Sequence, residues 1–344
     1  MNGPLVTFAL FTYNQERFVR EAIRGAFAQT YSPLEILISD DCSRDGTFDA
    51  IREEVEGYDG PHRVVLNRNE RNLGIGGHIN RVMELAEGDL IVAAAGDDVS
   101  LPTRTEELAR VWSGGEGFSV YSNYTIVDEN GLDRGIEEGD IASESTKSWQ
   151  EKVRSGVMRG LGCAHAWDRA VFDTFGPLPD NIVQEDVAIP FRAALLGKVA
   201  YIDKRLAKYR RHGANVWKRR DDLLEMDLSK FVRQQIATAR SMRMNWESWL
   251  HDVRRFSSLH PEMKDELLWA SEVIVTRVAF YGFKESALAG RGKGRLRDCL
   301  RTIKRVRKLG LKAVAKVVLL GVSPTAYNRV HHWRYRRRAA AQAG

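Results

Sequence analysis

LVTFALFTYNQERFVREAIRGAF, residues 5–27, sets two periodicities back to back. Leu5–Phe11 is a nearly continuous apolar run, as in a strand covered on both faces, and Phe18, Val19, Ala22, Ile23, Ala26 and Phe27 then recur at helical spacing. The alternation continues outward. Leu34–Ser39 reads as a second strand, Asp45-Gly46-Thr47 as a turn opening a helix to about Val55, Val64–Leu66 as a short strand, Gly77–Ala86 as a helix and Leu90–Ala95 as another strand. Strands alternating with helices at this spacing predict an α/β fold with a mostly parallel sheet, whose ligands lie beyond the carboxyl ends of the strands. Beyond it, Leu101–Trp112 reads as a helix and Phe118–Val127 as a strand, and residues 132–150 as an acidic surface loop. Gly162–Trp167, Val171–Gly176, Asp186–Gly197 and a closing strand Val199–Ile202 complete the α/β part. From about Asp221 the pattern is wholly helical.

The 344 residues carry a formal charge of +6, but it is unevenly spread. Residues 291–338 hold sixteen Lys or Arg against Asp298 alone, a local net of +15, so the remainder carries −9. The reading divides the chain into a catalytic α/β domain at 1–220, a helical extension at 221–290 and a basic amphipathic tail at 291–344. Cys42, Cys163 and Cys299 are odd in number and far apart, which supports neither a disulfide framework nor a zinc site. With no signal-peptide pattern and no long apolar span, a cytoplasmic location is the expectation.

Acidic residues gather where the strands end. Asp97 and Asp98 follow the strand ending near Ala95; in a loop both can face a ligand, one reaching a divalent cation and the other a sugar hydroxyl, although a solvated turn has the same appearance. Asp40 and Asp41 repeat the arrangement and suit hydrogen bonds from a base or ribose. Glu185-Asp186 opens a helix, where acids meet the dipole favourably and where a carboxylate can also act as a general base. His212 lies in the segment Tyr209–Asn215 beside Arg210 and Arg211, whose charges suit a diphosphate leaving group.

In their order and spacing these pieces resemble family 2 glycosyltransferases of the GT-A fold. The resemblance runs from about Leu5 to Asn215. It rests on Thr12-Tyr13-Asn14, Gln29-Thr30-Tyr31, Leu34-Glu35-Ile36, Asp40–Thr47, Asn72-Leu73-Gly74, Ala86-Glu87-Gly88-Asp89 leading to Gly96-Asp97-Asp98, then Glu185-Asp186 with Arg192, and finally Tyr-Arg-x-His-x-x-Asn. It implies an inverting enzyme that uses a nucleoside-diphosphate sugar, UDP-linked by the commonest pattern, with Mg2+ or Mn2+. By position, Thr12 and Tyr13 belong to the nucleotide-binding block, Tyr13 packing near the base, and Asp41 accepts a hydrogen bond from that base. Asp97 contacts the ribose or sugar, Asp98 holds the metal and His212 lies near it, Arg210 and Arg211 face the diphosphate, and Asp186 is the base, oriented by Glu185. The chain departs from the pattern at Cys42, where glycine is frequent, and at Val187, where an aromatic is.

In the tail, Leu300, Ile303, Val306, Leu311, Val314 and Val318 recur every three to four residues among Lys and Arg. Anionic lipid attracts such segments by about 1 kcal/mol per basic residue near the surface. A peripheral position at the inner face of a membrane, with a glycan or lipid-linked acceptor, is therefore the expectation, and the continuous apolar stripe favours it over nucleic acid. Two other classes fit the sequence less well. A sugar nucleotidyltransferase calls for a Gly-rich basic phosphate loop, which Thr12–Arg17 is not. A non-catalytic nucleic-acid-binding protein leaves the ordered acids of residues 40–186 without a task.

Overall fold

The computed structural model describes residues 3–135, 146–157, 162–180, 182, 184–213, 227–290 and 295–340. The chain divides into two compact units, Met1–Gly213 and Ala214–Gly344. The first therefore ends a few residues before the boundary expected at 220.

The first unit is built on an eight-stranded sheet. In chain order its strands are β1 (Val6–Thr12), β2 (Leu34–Asp40), β3 (Arg63–Arg68), β4 (Leu90–Ala95), β5 (Val99–Ser100), β6 (Ser119–Asp128), β7 (His165–Asp168) and β8 (Val199–Arg211). They lie side by side as β3-β2-β1-β4-β7-β6-β8-β5. The first four run parallel, β7 is antiparallel to both β4 and β6, and β8 returns parallel to β6. Helices α1 (Val19–Phe27), α2 (Thr47–Glu56), α3 (Gly74–Leu85), α4 (Arg104–Ser113), α5 (Trp149–Ser155), α6 (Ala170–Phe175) and α7 (Glu185–Leu196) connect them. β1, β2 and β4 are buried along nearly their whole length because helices cover both faces; Val6, Phe8, Ile36, Ile38, Leu90 and Val92 join Ile23 and Ile51 in one core, and Glu35, the charge inside β2, accepts from the Thr7 hydroxyl at 2.7 Å. Registration aligns the strand ends, with Thr12 opposite Asp40 and Phe11 opposite Ala95, so the segments that follow emerge together.

Gly88, just before β4, has no room for a side chain: a Cβ there would lie 2.7 Å from the Val6 carbonyl carbon and closer still to the Thr7 nitrogen. Gly88→Ala is expected to cost about 1–3 kcal/mol, as overpacking does. Denaturant titration should show a lower midpoint at unchanged slope; an unchanged midpoint would mean that β1 yields freely.

The second unit is helical: α8 (Leu228–Leu259), α9 (Lys264–Leu288), α10 (Arg295–Val306), α11 (Leu311–Val322) and α12 (Pro324–Ala340). Leu223 and Leu224, expected to begin this region, lie outside the described residues. α8 and α9 pack along each other, with Trp246 and Trp249 buried edge to face 4.9 Å apart and Arg240 and Arg243 both paired with Glu285. The basic segment expected to form a separate tail folds into this unit. Cys299, Val306, Val317, Leu320 and Tyr327 share a core with Phe283, Ala287 and Leu288 of α9.

Candidate active site

The first group of polar residues stands where β1 and β2 end. Thr12 is buried, its hydroxyl donating to Ser39 O at 3.1 Å and lying 3.2 Å from Asp40 Oδ1. Thr12 thus ties the strand ends together rather than presenting itself to a nucleotide. Asp40 also accepts from Ser43 N at 2.9 Å. Asn14 and Cys42 both have left-handed backbones, at φ 53° and 60°. That conformation costs a residue with a Cβ more than glycine, which accounts physically for the preference for glycine at the position of Cys42.

Asp41 is buried and holds the start of α3: Leu73 N at 2.8 Å, Gly74 N at 3.0 Å and Asn69 Nδ2 at 2.8 Å all donate to it. Two carboxylate oxygens offer about four lone-pair sites, so one acceptor position remains. Tyr13 is exposed beside this turn.

The second group joins segments more than a hundred residues apart. The two-residue strand β5 pairs antiparallel with β8, Val99 opposite Lys208, and this brings Asp97 and Asp98 against Arg210 and His212. Arg210 N donates to Asp98 Oδ1 at 2.7 Å, and His212 Nε2 lies 3.0 Å from Asp97 Oδ2. The His212 ring packs on Phe18 at 4.7 Å. Burial and the Asp97 charge push the Asp98 carboxyl well above the usual range. Behind it Arg104 is fully buried, donating to Ser100 Oγ at 2.7 Å and Ala93 O at 2.6 Å, and burial lowers its guanidinium to about 10.

One expectation needs correcting here. Arg210 is a buried strap, not a diphosphate ligand: its guanidinium reaches Asp97 O at 3.0 Å, Asp128 O at 3.3 Å and Glu21 Oε2 at 2.5 Å, over the Phe18 ring. His212 contacts Asp97, the neighbour in sequence of Asp98. Arg211 lies with its guanidinium 5.9 Å from the Tyr209 ring. Asn215, the last residue of the motif, lies outside the described residues.

The third group is at the start of α7. Glu185 and Asp186 are partly exposed, and burial pushes both up, Glu185 to about 8 with the Asp186 charge adding to it, Asp186 to about 6. Near neutrality the pair therefore holds one proton. Gly162 lies against Glu185, where a Cβ would come within 2.8 Å of Oε1. Tyr121 on β6 is fully buried, stacked on His165 at 4.2 Å, and its hydroxyl has no hydrogen-bond partner among the described residues. Burial, with the charges of Asp186 and Glu185, pushes that phenol well above its ordinary value. Between the second and third groups sits the Cys163 thiol, pushed up by burial and by the charges of Asp98, Asp97 and Asp186 together. Arg104, Tyr121 and Cys163 carry no signal in the sequence that marks them as part of the site.

Among the described residues no three His, Cys, Asp or Glu side chains converge to hold a metal ion. The donor set nevertheless fits a hard divalent cation. Among the described residues Asp98 Oδ2 accepts no hydrogen bond, and the charges of Arg104 and Arg210 do not offset the burial of its carboxyl; Mg2+-type sites commonly use one or two carboxylates completed by substrate phosphates.

Residues 7–170 match the family described as Glycosyl transferase family 2. Over 223 residues the chain is 28% identical to an uncharacterized glycosyltransferase of Nostoc sp., covering 61% of this chain and 66% of that protein. It is 29% identical over 122 residues to the UDP-Glc:alpha-D-GlcNAc-diphosphoundecaprenol beta-1,3-glucosyltransferase WfaP of Escherichia coli, covering 36% of this chain and 47% of that enzyme. These and other curated relatives are spanned over 37% to 66% of their lengths. Among solved structures the fold is similar to that of the mannosyltransferase PcManGT from Pyrobaculum calidifontis in complex with GDP-Man and Mn2+, with a TM-score of 0.53 at 14% identity, covering 97% of this chain and 87% of that one. The expected architecture, a mostly parallel sheet flanked by helices and followed by a helical region, is the one observed.

Proposed function

We propose that the chain, whose residues 7–170 match glycosyl transferase family 2, is a divalent-cation-dependent, inverting transferase that moves a sugar from a nucleoside diphosphate, UDP by preference, to a hydroxyl of a glycan or lipid-linked acceptor. The observation that carries this reading is the meeting of three acidic groups from distant segments at one sheet edge. Support for a nucleotide-sugar donor comes from the complex of PcManGT with GDP-Man and Mn2+, and for a lipid-linked acceptor from the name of WfaP.

The nucleotide enters at the ends of β1 and β2, with Tyr13 against the base and the open acceptor position of Asp41 taking a base N–H. Asp97, fixed by His212, accepts from the ribose or sugar. Asp98 would hold a divalent cation, which would supply the positive charge that the departing diphosphate requires. Asp186 takes the proton of the acceptor hydroxyl while that oxygen attacks the anomeric carbon from the face opposite the diphosphate. The new bond forms as the bond to the phosphate oxygen breaks, so configuration inverts in one displacement. Glu185, protonated near neutrality, keeps a second negative charge away from Asp186.

The base must be ionised to act. kcat/KM is therefore expected to rise with pH through about 6. Stability runs the other way: both carboxyls sit above their ordinary values in the fold, so the pair's contribution is fully present in acid and is lost as pH rises toward about 8. A rate that is flat between pH 5 and 7 would remove Asp186 from the reaction.

Tyr121 serves as a positioning residue, its hydroxyl turned to the carboxyl pair once acceptor is bound. An unpaired buried hydroxyl costs about 1–3 kcal/mol. Tyr121→Phe is accordingly expected to melt no lower than the parent while kcat falls and the acid limb of the pH profile moves. A lower melting temperature with an unmoved pH profile would make Tyr121 structural only.

A further inference from the structure

The apolar stripe legible in the sequence between residues 300 and 318 has two destinations. Ile303, Val306 and Val314 pack into the core of the second unit, whereas Leu300, Leu311 and Val318 remain outside at 54%, 87% and 41% exposure. On α11 the outward set is continuous. Leu311, Ala315, Val318 and Val322, all exposed, stand at i, i+4, i+7 and i+11 and so share one helix face. Val317 and Leu320, fully buried, lie on the opposite face. A surface helix ordinarily turns its second face polar; this one is apolar on both, and its own unit covers only one.

Charge decides what covers the other. Lys312 and Lys316, both exposed, are the only charged residues of α11, and no acidic residue occurs between Asp298 and Gly344. Arg301, Lys304, Arg305 and Arg329 on the neighbouring helices are exposed too. A second copy of this surface would bring like charges together, and nucleic acid offers nothing to an aliphatic stripe. A bilayer containing anionic lipid supplies both an apolar layer and phosphates at the right depth.

We propose that α11 docks on an anionic lipid bilayer, with Leu311, Val318 and Val322 entering the acyl boundary and Lys312 and Lys316 reaching the headgroup phosphates. Among the described residues no helix is long and apolar enough to cross a membrane, and this mode requires none. The inference rests on the lipid-linked reading of the acceptor, for it names the surface that would bring enzyme to such a substrate, but its test involves no sugar transfer.

The full chain should co-sediment with vesicles of phosphatidylcholine and phosphatidylglycerol at 7:3, and at least tenfold less with pure phosphatidylcholine or in 0.5 M salt. The triple substitution Leu311→Ser, Val318→Ser, Val322→Ser should reduce anionic-vesicle binding at least tenfold while the Mn2+-dependent shift in melting temperature on adding UDP is kept. Should that variant fold poorly, Leu311→Gln alone, at the most exposed position, should still weaken binding several-fold. Undiminished vesicle binding by folded variants overturns the proposal. So does a parent chain that sediments as a dimer and turns monomeric on substitution, since the face would then belong to a second copy. Loss of the nucleotide response with intact vesicle binding would instead strike at the catalytic reading and leave this one standing.

Discussion

Asp186→Asn should lower the rate of sugar transfer by about 10²–10⁴-fold, the usual contribution of a positioned general base. Asn keeps the shape of the side chain and removes its ability to take a proton, so the nucleotide-sugar affinity should hardly move. The distinction matters because Asp186 opens α7, where an acid also meets the helix dipole. If Asp186 served only the helix, the variant would melt lower and still transfer sugar at the parent rate. The burial that raises this carboxyl to about 6 is a cost to the fold, and removing it should leave stability equal or higher. Single-turnover kinetics with saturating donor separate the two roles cleanly, since product release no longer enters.

Asp98→Asn should lower turnover by about 10²–10³-fold or more, the scale seen when one group stabilising a developing charge is removed. Chelation of divalent cations should do the same to the parent enzyme and nothing further to the variant. In the fold, Asp98 is a buried carboxylate beside a second one, and the backbone N–H of Arg210 with the charges of Arg104 and Arg210 does not offset its burial. Such a group destabilises the empty protein. The variant is therefore expected to melt higher as it loses activity, the exchange that a site built for a cation would show. A variant that melts lower and keeps its activity would mean that Asp98 merely anchors β8.

How much of this was legible in the sequence differs from residue to residue. β1, β2 and β4 are readable because strands covered on both faces are dominated by apolar residues, and the acids at their ends are readable because they close those runs, Glu35 being the one acid inside them. β8 is not. Its first four residues read as a strand, but Asp203-Lys204-Arg205 looks like a turn, and only pairing with β6 through an irregular register carries it on to Arg211. That extension, met by the two residues of β5, decides that Arg210 goes inward and that His212 meets Asp97. Local pattern cannot supply such a contact, and without it Arg210 looks like a phosphate ligand. Arg104 and Tyr121 are not legible for a related reason. An arginine in the first turn of an amphipathic helix and a tyrosine in an alternating strand are ordinary surface and core residues until a buried partner is placed beside them. In the tail the 3.6-residue period was correct, but a period does not say which apolar residues a neighbouring helix will cover.

The central claim is that the acids of the β4–β5 turn and of α7 serve one cation-dependent reaction on a nucleotide-sugar. Calorimetric titration of UDP and UDP-sugars into the parent, Asp98→Asn and Asp186→Asn proteins, each with and without Mn2+, tests it most directly. The account predicts binding to the parent that is at least tenfold tighter with Mn2+, the loss of that difference in Asp98→Asn, and its retention in Asp186→Asn. Equal affinity with and without the cation in the parent, or a cation effect that survives in Asp98→Asn, would contradict it.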